Sequence, residues 1–169
     1  MIIKVGEAYA SENGNIKGER GNQNGRELGY RYVESNTFTY IIRFKFDKPR
    51  KLFINRFNAI ISSRLCGYSQ YDRYSLHEAI RGHNGDINKY IASGVKTNCD
   101  CSSLVMTCIN TLKSRSNAYN CNVYGINTRN MLAYFKGLGK AKFDIYAAGD
   151  TTPKSGDILL KNGHTCVVM

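Results

Sequence analysis

The sequence lacks the features that mark several common protein classes. It has no apolar run near the ~20 residues that a membrane-spanning helix needs, and Met1 to Lys4 does not begin the apolar core of a secretion signal. No glycine precedes Lys-Ser or Lys-Thr, which argues against a phosphate-cradling loop. Only two of the 169 residues are proline, and 42% are hydrophobic. We therefore expect one domain with a core of ordinary size.

Acidic residues are scarce: 13 Asp and Glu face 24 Lys and Arg, a formal net charge of +11. A charge this far from zero implies an anionic partner, such as nucleic acid, an anionic membrane or a phosphate-rich wall polymer. The densest basic stretch runs from Arg43 to Arg56. It is either a solvated face or, with its interleaved aromatic residues, a surface on which bases could stack.

Six cysteines without an export signal predict reduced thiols rather than disulfides. Cys101 differs from the others because apolar residues follow it at helical spacing and Asp100 precedes it as a candidate N-cap. A sulfur in the first turn of a helix faces unpaired backbone N–H groups, which favours the thiolate. Cys99 remains the alternative nucleophile, whereas Cys108 and Cys166 fit core positions.

A cysteine nucleophile needs a proton acceptor, and the chain has only three histidines. His164 lies in a turn that leads into an apolar, strand-like segment, and we expect it to pair with Cys101. A zinc site built from Cys99, Cys101, His164 and Cys166 is conceivable, but its spacing is unlike that of paired Cys-x-x-Cys knuckles. We expect no metal and no cofactor.

The hydrophobic pattern predicts an α+β protein in which sheet is followed by helices and then by sheet again. The Asn13-Gly14 and Asn24-Gly25 dipeptides favour tight hairpins, so the N-terminal quarter is expected to form antiparallel strands. The predicted elements are strands within 3–10, 30–33, 37–46, 158–160 and 165–169, and helices over 53–65, 75–93, 102–114 and 128–136. Gly137 is the expected C-cap of the last helix.

Several segments together resemble the NlpC/P60 and CHAP-type cysteine peptidases of phage endolysins. Asp100 to Val105 is similar to their nucleophile motif, and Cys66 to Arg73 to the Gly-Tyr-Asp-Gln-x-x-Arg segment before it. Thr128 to Met131 resembles a later helix start, and Lys154 to Leu160 followed by His164 resembles the final strands. The resemblance implies a papain-like fold, in which the nucleophile helix packs on a central antiparallel sheet, and one catalytic domain over 1–169.

The order of the segments differs from that family. Glu7 to Tyr9 and the glycine-rich stretch 12–27 resemble the part that follows the histidine strand, yet here they come first. The chain therefore resembles a circular permutant, in which 1–47 supplies the late hairpin and 53–169 the helices, the cysteine motif and the histidine strand. We expect Met1 and Met169 to lie close together. Glu7 takes the position of the third catalytic residue, which orients the imidazole.

The resemblance implies a peptidoglycan hydrolase that cleaves an amide bond by cysteine catalysis, either an N-acetylmuramoyl-L-alanine amidase or an endopeptidase. Tyr68 is expected to help the Cys101 amide hold the oxyanion, and Asp100 and Ser102 to support the oxyanion or the substrate.

The partner of the protein would be the anionic cell wall and not nucleic acid. The protein would be made in the cytoplasm and reach the wall after holin release or from a virion. A papain-like acyltransferase or isopeptidase and a basic nucleic-acid-binding module remain alternatives; the oligomeric state is open.

Overall fold

The computed structural model describes residues 1–10, 14–112 and 119–169. Its main sheet has six strands in the order β2-β1-β8-β7-β3-β6, and every neighbouring pair is antiparallel. These strands are Ile2–Ala8 (β1), Leu28–Glu34 (β2), Tyr40–Phe44 (β3), Phe143–Ala147 (β6), Ile158–Lys161 (β7) and His164–Val168 (β8). Cys66–Tyr68 (β4) and Thr97–Cys99 (β5) form a separate parallel pair. The helices are Asp47–Ser63 (α1), Ser75–Gly82 (α2), Ile87–Ser93 (α3), Cys101–Asn110 (α4) and Met131–Leu138 (α5).

The first and last strands of the chain lie side by side. β1 pairs with β2 along its whole length and with β8 through Val5–Val168 and Gly6–Val167. The Met169 amide donates to the Lys4 carbonyl at 3.0 Å. Met169 thus lies opposite Lys4, three residues of strand from Met1, or about 10 Å at the rise of a β-strand.

The sheet has a core on each face. The larger core lies between the sheet and the helices, and α4 is its central helix because Cys101 to Ile109 are all buried. α4 packs mainly on β8, and it also contacts α1 and α2. The smaller core, on the other face, contains Ile3, Val5, Phe38, Ile41, Leu159, Cys166 and Val168. None of the helices in the described residues is long and apolar enough to cross a membrane.

The expected helix over 75–93 is two helices. α2 ends at Gly82, and the chain turns through Asn84 and Gly85, whose φ angles of 58° and 79° lie in the left-handed region. Asp86 then caps α3, since its carboxylate accepts from the amides of Asn88 at 2.9 Å and Lys89 at 3.1 Å. The Asn-Gly-Asp run carries both the turn and the cap.

Other boundaries differ by smaller amounts. α1 begins at Asp47, six residues before the predicted start, because Pro49 is accommodated in its first turn. α5 continues through Gly137 and ends at Leu138, where Gly139 takes a φ of 86°. β4, β5 and β6 have no counterpart in the prediction. Asn13 of the first predicted turn, part of the segment 12–27 and the predicted end of the third helix at Ser114 lie outside the described residues.

Candidate active site

Cys101 is the first residue of α4, as the sequence predicts, and Asp100 is its N-cap. The Asp100 carboxylate accepts from the Ser103 amide at 2.7 Å, and the Ser103 hydroxyl accepts from the Asp100 amide at 2.9 Å. This reciprocal capping box satisfies backbone donors that the start of a helix otherwise leaves open. It fixes the direction in which Cys101 leaves the turn between β5 and α4.

A largely buried arginine, whose side chain is 16% exposed, holds this cap from the side. Arg73 Nε lies 3.0 Å from Asp100 Oδ2, and its Nη2 donates to Ser102 Oγ at 2.7 Å and to the Ile126 carbonyl at 2.6 Å. Ser102 in turn donates to Asp100 Oδ1 at 3.0 Å. Asp100 and Ser102 are both buried, and their polar atoms face Arg73 and the helix start. Their contacts are those of a scaffold beneath the nucleophile.

The Cys101 sulfur lies against β8, next to the candidate base. It accepts a hydrogen bond from the Thr165 amide, and Thr165 directly follows His164 in the strand. The Thr165 amide can donate to the sulfur, and not to β1, because the β1–β8 ladder stops at the Gly6–Val167 pair. The start of α4 therefore enters the gap where β1 and β8 separate.

The pKa of the Cys101 thiol is raised to about 12, chiefly by burial and in smaller part by the Asp100 carboxylate. The Thr165 and Ser102 amides and the charge of Arg73 act in the opposite direction. The thiolate expected from the helix start is therefore not the resting form, since desolvation outweighs the backbone donors. The thiol is neutral at pH 7, and a base must remove its proton during attack.

We expect alkylation of Cys101 by iodoacetamide to be slow at pH 7 and to rise about tenfold per pH unit through pH 9, because the thiolate fraction rises by that factor below the pKa. Timed labelling followed by peptide mass spectrometry measures the rate at Cys101 separately from the other thiols. A plateau below pH 8 would contradict this expectation and would indicate a stabilised resting thiolate.

His164 is paired with Glu7, the contact that the family resemblance implies. His164 Nε2 lies 2.5 Å from Glu7 Oε2, and Glu7 is 2% exposed. The Tyr9 ring packs edge-on against the imidazole, with centroids 5.5 Å apart. Arg31 pairs with the other Glu7 oxygen. A carboxylate at Nε2 leaves Nδ1 as the ring nitrogen that can receive the thiol proton.

Cys101 lies beside Thr165, the residue that follows His164, and does not contact the imidazole itself. Among the described residues, no hydrogen bond joins the Cys101 thiol to His164; the sulfur is bonded to the neighbouring Thr165 amide. Catalytic hydrogen bonds are often long in free enzymes and shorten when substrate is bound.

Three of the other five thiols lie in two places. Cys166 is fully buried, and its sulfur lies within 4.8 Å of ligand atoms of Glu7 and His164. Cys99 belongs to the β4–β5 pair, where its sulfur is 3.4 Å from that of Cys66. The described residues therefore do not assemble the zinc set considered from the sequence, since the potential metal cluster contains neither Cys99 nor Cys101.

Tyr68 lies at the end of β4, beside Cys99 in the parallel register. Its side chain is largely buried, and its hydroxyl accepts from Gln70 Nε2 at 3.2 Å. Burial raises the pKa of Tyr68 to about 12, and the Cys101 thiol is among the nearby groups that raise it further. At neutral pH the hydroxyl keeps its proton and can donate it in a hydrogen bond.

Residues 5–169 match the family model described as the endolysin-like domain. The chain belongs to the endolysin-like domain family. No curated protein and no solved structure matches it. Family membership supports an endolysin-like role on the bacterial cell wall, whereas a cysteine mechanism rests on the geometry of the site.

The sequence did not single out two arginines at the site of this endolysin-like domain. Arg73 is the last residue of the Cys66–Arg73 motif, so the motif carried a signal for it, although not for its contact with Asp100. Arg31 has no motif. It lies opposite Val5 across the β1–β2 ladder, and strand alternation therefore places it on the same sheet face as Glu7.

The basic stretch from Arg43 to Arg56 is partly neutralised in the fold. Arg43 forms a two-bond pair with Asp157, and Arg50 pairs with Asp47 at 2.7 Å. Arg56 donates to the Thr111 carbonyl at the end of α4. Three of the arginines that could have formed a phosphate-binding surface thus have structural partners.

Proposed function

We propose that this endolysin-like domain is a cysteine hydrolase that cleaves an amide bond of peptidoglycan, with Cys101 as nucleophile, His164 as general acid and base, and Glu7 as the residue that orients His164. One observation carries the proposal. A thiol at the start of a buried helix accepts a hydrogen bond from the residue next to a histidine, and that histidine is held by a buried carboxylate.

The first step joins the sulfur to the carbonyl carbon. His164 Nδ1 takes the Cys101 proton as the sulfur attacks, because the resting thiol is neutral. Glu7 accepts a hydrogen bond from the Nε2–H group of the ring and stabilises the positive charge that forms on the imidazole. The imidazolium then protonates the leaving nitrogen, the C–N bond breaks, and an acyl-thioester remains on Cys101.

The second step reverses these roles. His164 takes a proton from water, the hydroxide adds to the thioester carbon, and the C–S bond breaks to release the acid and restore the thiol. Each step places negative charge on the carbonyl oxygen. The Cys101 amide and the protonated Tyr68 hydroxyl are the donors that would hold this charge. Asp100 and Ser102 support the site by fixing the helix start and not by contacting the oxyanion.

Family membership and charge support peptidoglycan as the substrate. The family is endolysin-like, and the net charge of +11 favours approach to a wall that carries anionic polymers. The scissile bond is either the muramoyl–alanine amide or a peptide bond of the stem or cross-bridge. The site of action would be the cell wall, reached after lysis release or from a virion.

The strand order also supports a circularly permuted, papain-like catalytic domain spanning residues 1–169. The Glu7 strand β1 pairs antiparallel with the His164 strand β8, although one begins the chain and the other ends it. In an unpermuted arrangement a short turn would connect β8 to β1. Since Met169 lies opposite Lys4, the end of β8 is adjacent to β1, as such a turn would require.

Digestion of purified Gram-positive peptidoglycan, followed by mass spectrometry of the soluble products, tests this function. We expect the wild-type chain to release fragments and His164→Gln to release none. A free lactyl carboxyl on muramic acid would identify an amidase, and a new amino terminus within the stem or cross-bridge would identify an endopeptidase. No release by the wild-type chain, or release that His164→Gln retains, would overturn the proposal. Products joined to an added amine instead of water would favour the acyltransferase alternative.

A further inference from the structure

Arg31 touches both neighbours of the candidate catalytic histidine. On β2, its guanidinium pairs with Glu7 Oε1, the oxygen that His164 does not use. The same guanidinium lies over the Tyr9 ring, with 4.5 Å between Cζ and the ring centroid. Its Nη2 donates to the Arg26 carbonyl at 3.2 Å, which anchors the side chain at its outer end.

These contacts form a closed ring of four side chains. Arg31 contacts Glu7 and Tyr9, and each of those contacts His164 on a different side of the imidazole. The Glu7 carboxylate is held at one oxygen by a cation and at the other by the imidazole, so neither oxygen is free to turn away. Without Arg31, both Glu7 and Tyr9 would lose the contact that orients them toward His164.

We propose that Arg31 is a positioning residue of the active site, which aligns Glu7 and Tyr9 on His164. The catalytic part of this inference rests on the proposed function, whereas the effect on His164 does not. A cation bound to Glu7 offsets part of the negative charge that would otherwise hold a proton on His164. Removal of this cation should therefore let His164 keep its proton to higher pH, which a merely structural role of Arg31 would not cause.

The other polar and charged groups around His164 do not duplicate this role. Lys161 lies opposite His164 on β7, but its ammonium lies over the Phe38 ring, 5.0 Å from the centroid. The groups that face the imidazole or its carboxylate from each neighbouring element are Glu7 on β1, Tyr9 beyond it, Arg31 on β2, Lys161 on β7, Cys166 on β8 and Cys101 on α4. Among these, Arg31 is the cation in contact with Glu7.

The test compares Arg31→Met, which removes the charge at similar length, with Arg31→Lys, which keeps it. Nitrogen-15 NMR of labelled imidazoles follows the titration of His164 directly, with the two other histidines as internal references. In Arg31→Met we expect its midpoint to move about one pH unit higher, the magnitude for a unit charge a few ångströms away at an effective dielectric constant near 20 to 40. In Arg31→Lys the midpoint should stay near the wild-type value.

Kinetics supply the second measurement. For Arg31→Met, both limbs of the kcat/KM profile should move to higher pH, and kcat should fall about tenfold or more with little change in KM. Arg31→Lys should keep the position of the profile but lose part of kcat, because an ammonium cannot pair with Glu7 and stack on Tyr9 as a guanidinium does.

The chain offers a matched control in Arg43. Its Nε and Nη2 donate to Asp157 at 2.8 and 2.7 Å, and its Cζ lies 5.2 Å from the Tyr146 ring centroid, so it makes the same kind of pair and stack. Arg43→Met should lower the melting temperature while leaving the His164 midpoint and the pH profile unchanged. An unchanged His164 midpoint in folded Arg31→Met, or an equal shift in Arg43→Met, would overturn the inference. A shifted midpoint in a protein that hydrolyses no peptidoglycan would retain the role of Arg31 and reject the proposed function.

Discussion

Cys101→Ala is expected to lower peptidoglycan hydrolysis by about 10⁴-fold or more, to the background of the assay, because removal of a nucleophile from such a catalytic group eliminates the covalent step. Cys99, the alternative nucleophile of the sequence, is not placed to replace it. The Cys99 sulfur lies 3.4 Å from the Cys66 sulfur. Burial raises the pKa of the Cys99 thiol well above its ordinary value. The measurement is the initial rate of fragment release at equal protein concentration.

Two further cysteine variants make this result specific. Cys99→Ala removes the alternative nucleophile of the sequence and should retain kcat within a few fold. Cys166→Ala removes the thiol that shares the His164–Glu7 face and should also retain activity, because Cys166 is fully buried. Both should lower the melting temperature, since each leaves a small cavity. Activity that survives in Cys101→Ala and disappears in Cys166→Ala would reassign the nucleophile.

The elements that the sequence predicted well are those whose pattern is local. The Asp100 cap and the start of α4 depend on a capping residue next to a regular apolar face, and both are confirmed. β8 is a short apolar strand after a glycine turn, and it was found for the same reason. The Asn84-Gly85 turn inside 75–93 was also local, but the apolar positions on both sides continued the helical pattern and concealed the break.

The parts that sequence reasoning missed depend on contacts between distant segments. β6 pairs with β3 across about a hundred residues of chain, and no local pattern in β6 indicates which strand it pairs with. Arg31 reaches Glu7 only because the β1–β2 register places Val5 opposite Arg31. The state of Cys101 also follows from packing: the helix start alone favours a thiolate, whereas the burial of the sulfur favours the thiol. The pairing of Glu7 with His164 was predicted because the family resemblance supplied the missing long-range information.

Asp100→Ala is expected to lower the free energy of unfolding by about 3–5 kcal/mol, far more than the loss of an ordinary helix cap. An N-cap substitution by itself costs about 1 kcal/mol. Asp100 also faces the largely buried guanidinium of Arg73, with its Oδ2 3.0 Å from Nε, and removal of one partner from such an ion pair leaves the other charge poorly compensated. The measurement is chemical denaturation, together with a melting temperature lower by roughly 10 °C for a chain of this length.

The matched control is Asp86→Ala, which removes the N-cap of α3. Asp86 accepts from the Asn88 and Lys89 amides, and those bonds lie at the protein surface. Its loss should cost only about 1 kcal/mol. A double-mutant cycle with Arg73→Met separates the pair from the cap, and the double variant should be more stable than the sum of the single losses predicts. Equal losses for Asp100→Ala and Asp86→Ala would contradict a stabilising role for the Asp100–Arg73 pair.

Asp100→Asn separates the structural role of Asp100 from its electrostatic effect on the nucleophile. The amide oxygen can still accept from the Ser103 amide, so much of the cap should persist. The negative charge that helps raise the pKa of the Cys101 thiol is removed, so that pKa should fall and alkylation at pH 7 should be several times faster than in the wild-type chain. Slower alkylation in folded Asp100→Asn would reverse the sign of this effect. Asp100 therefore stabilises the helix that presents the thiol and opposes its ionisation, which leaves activation of the nucleophile to His164.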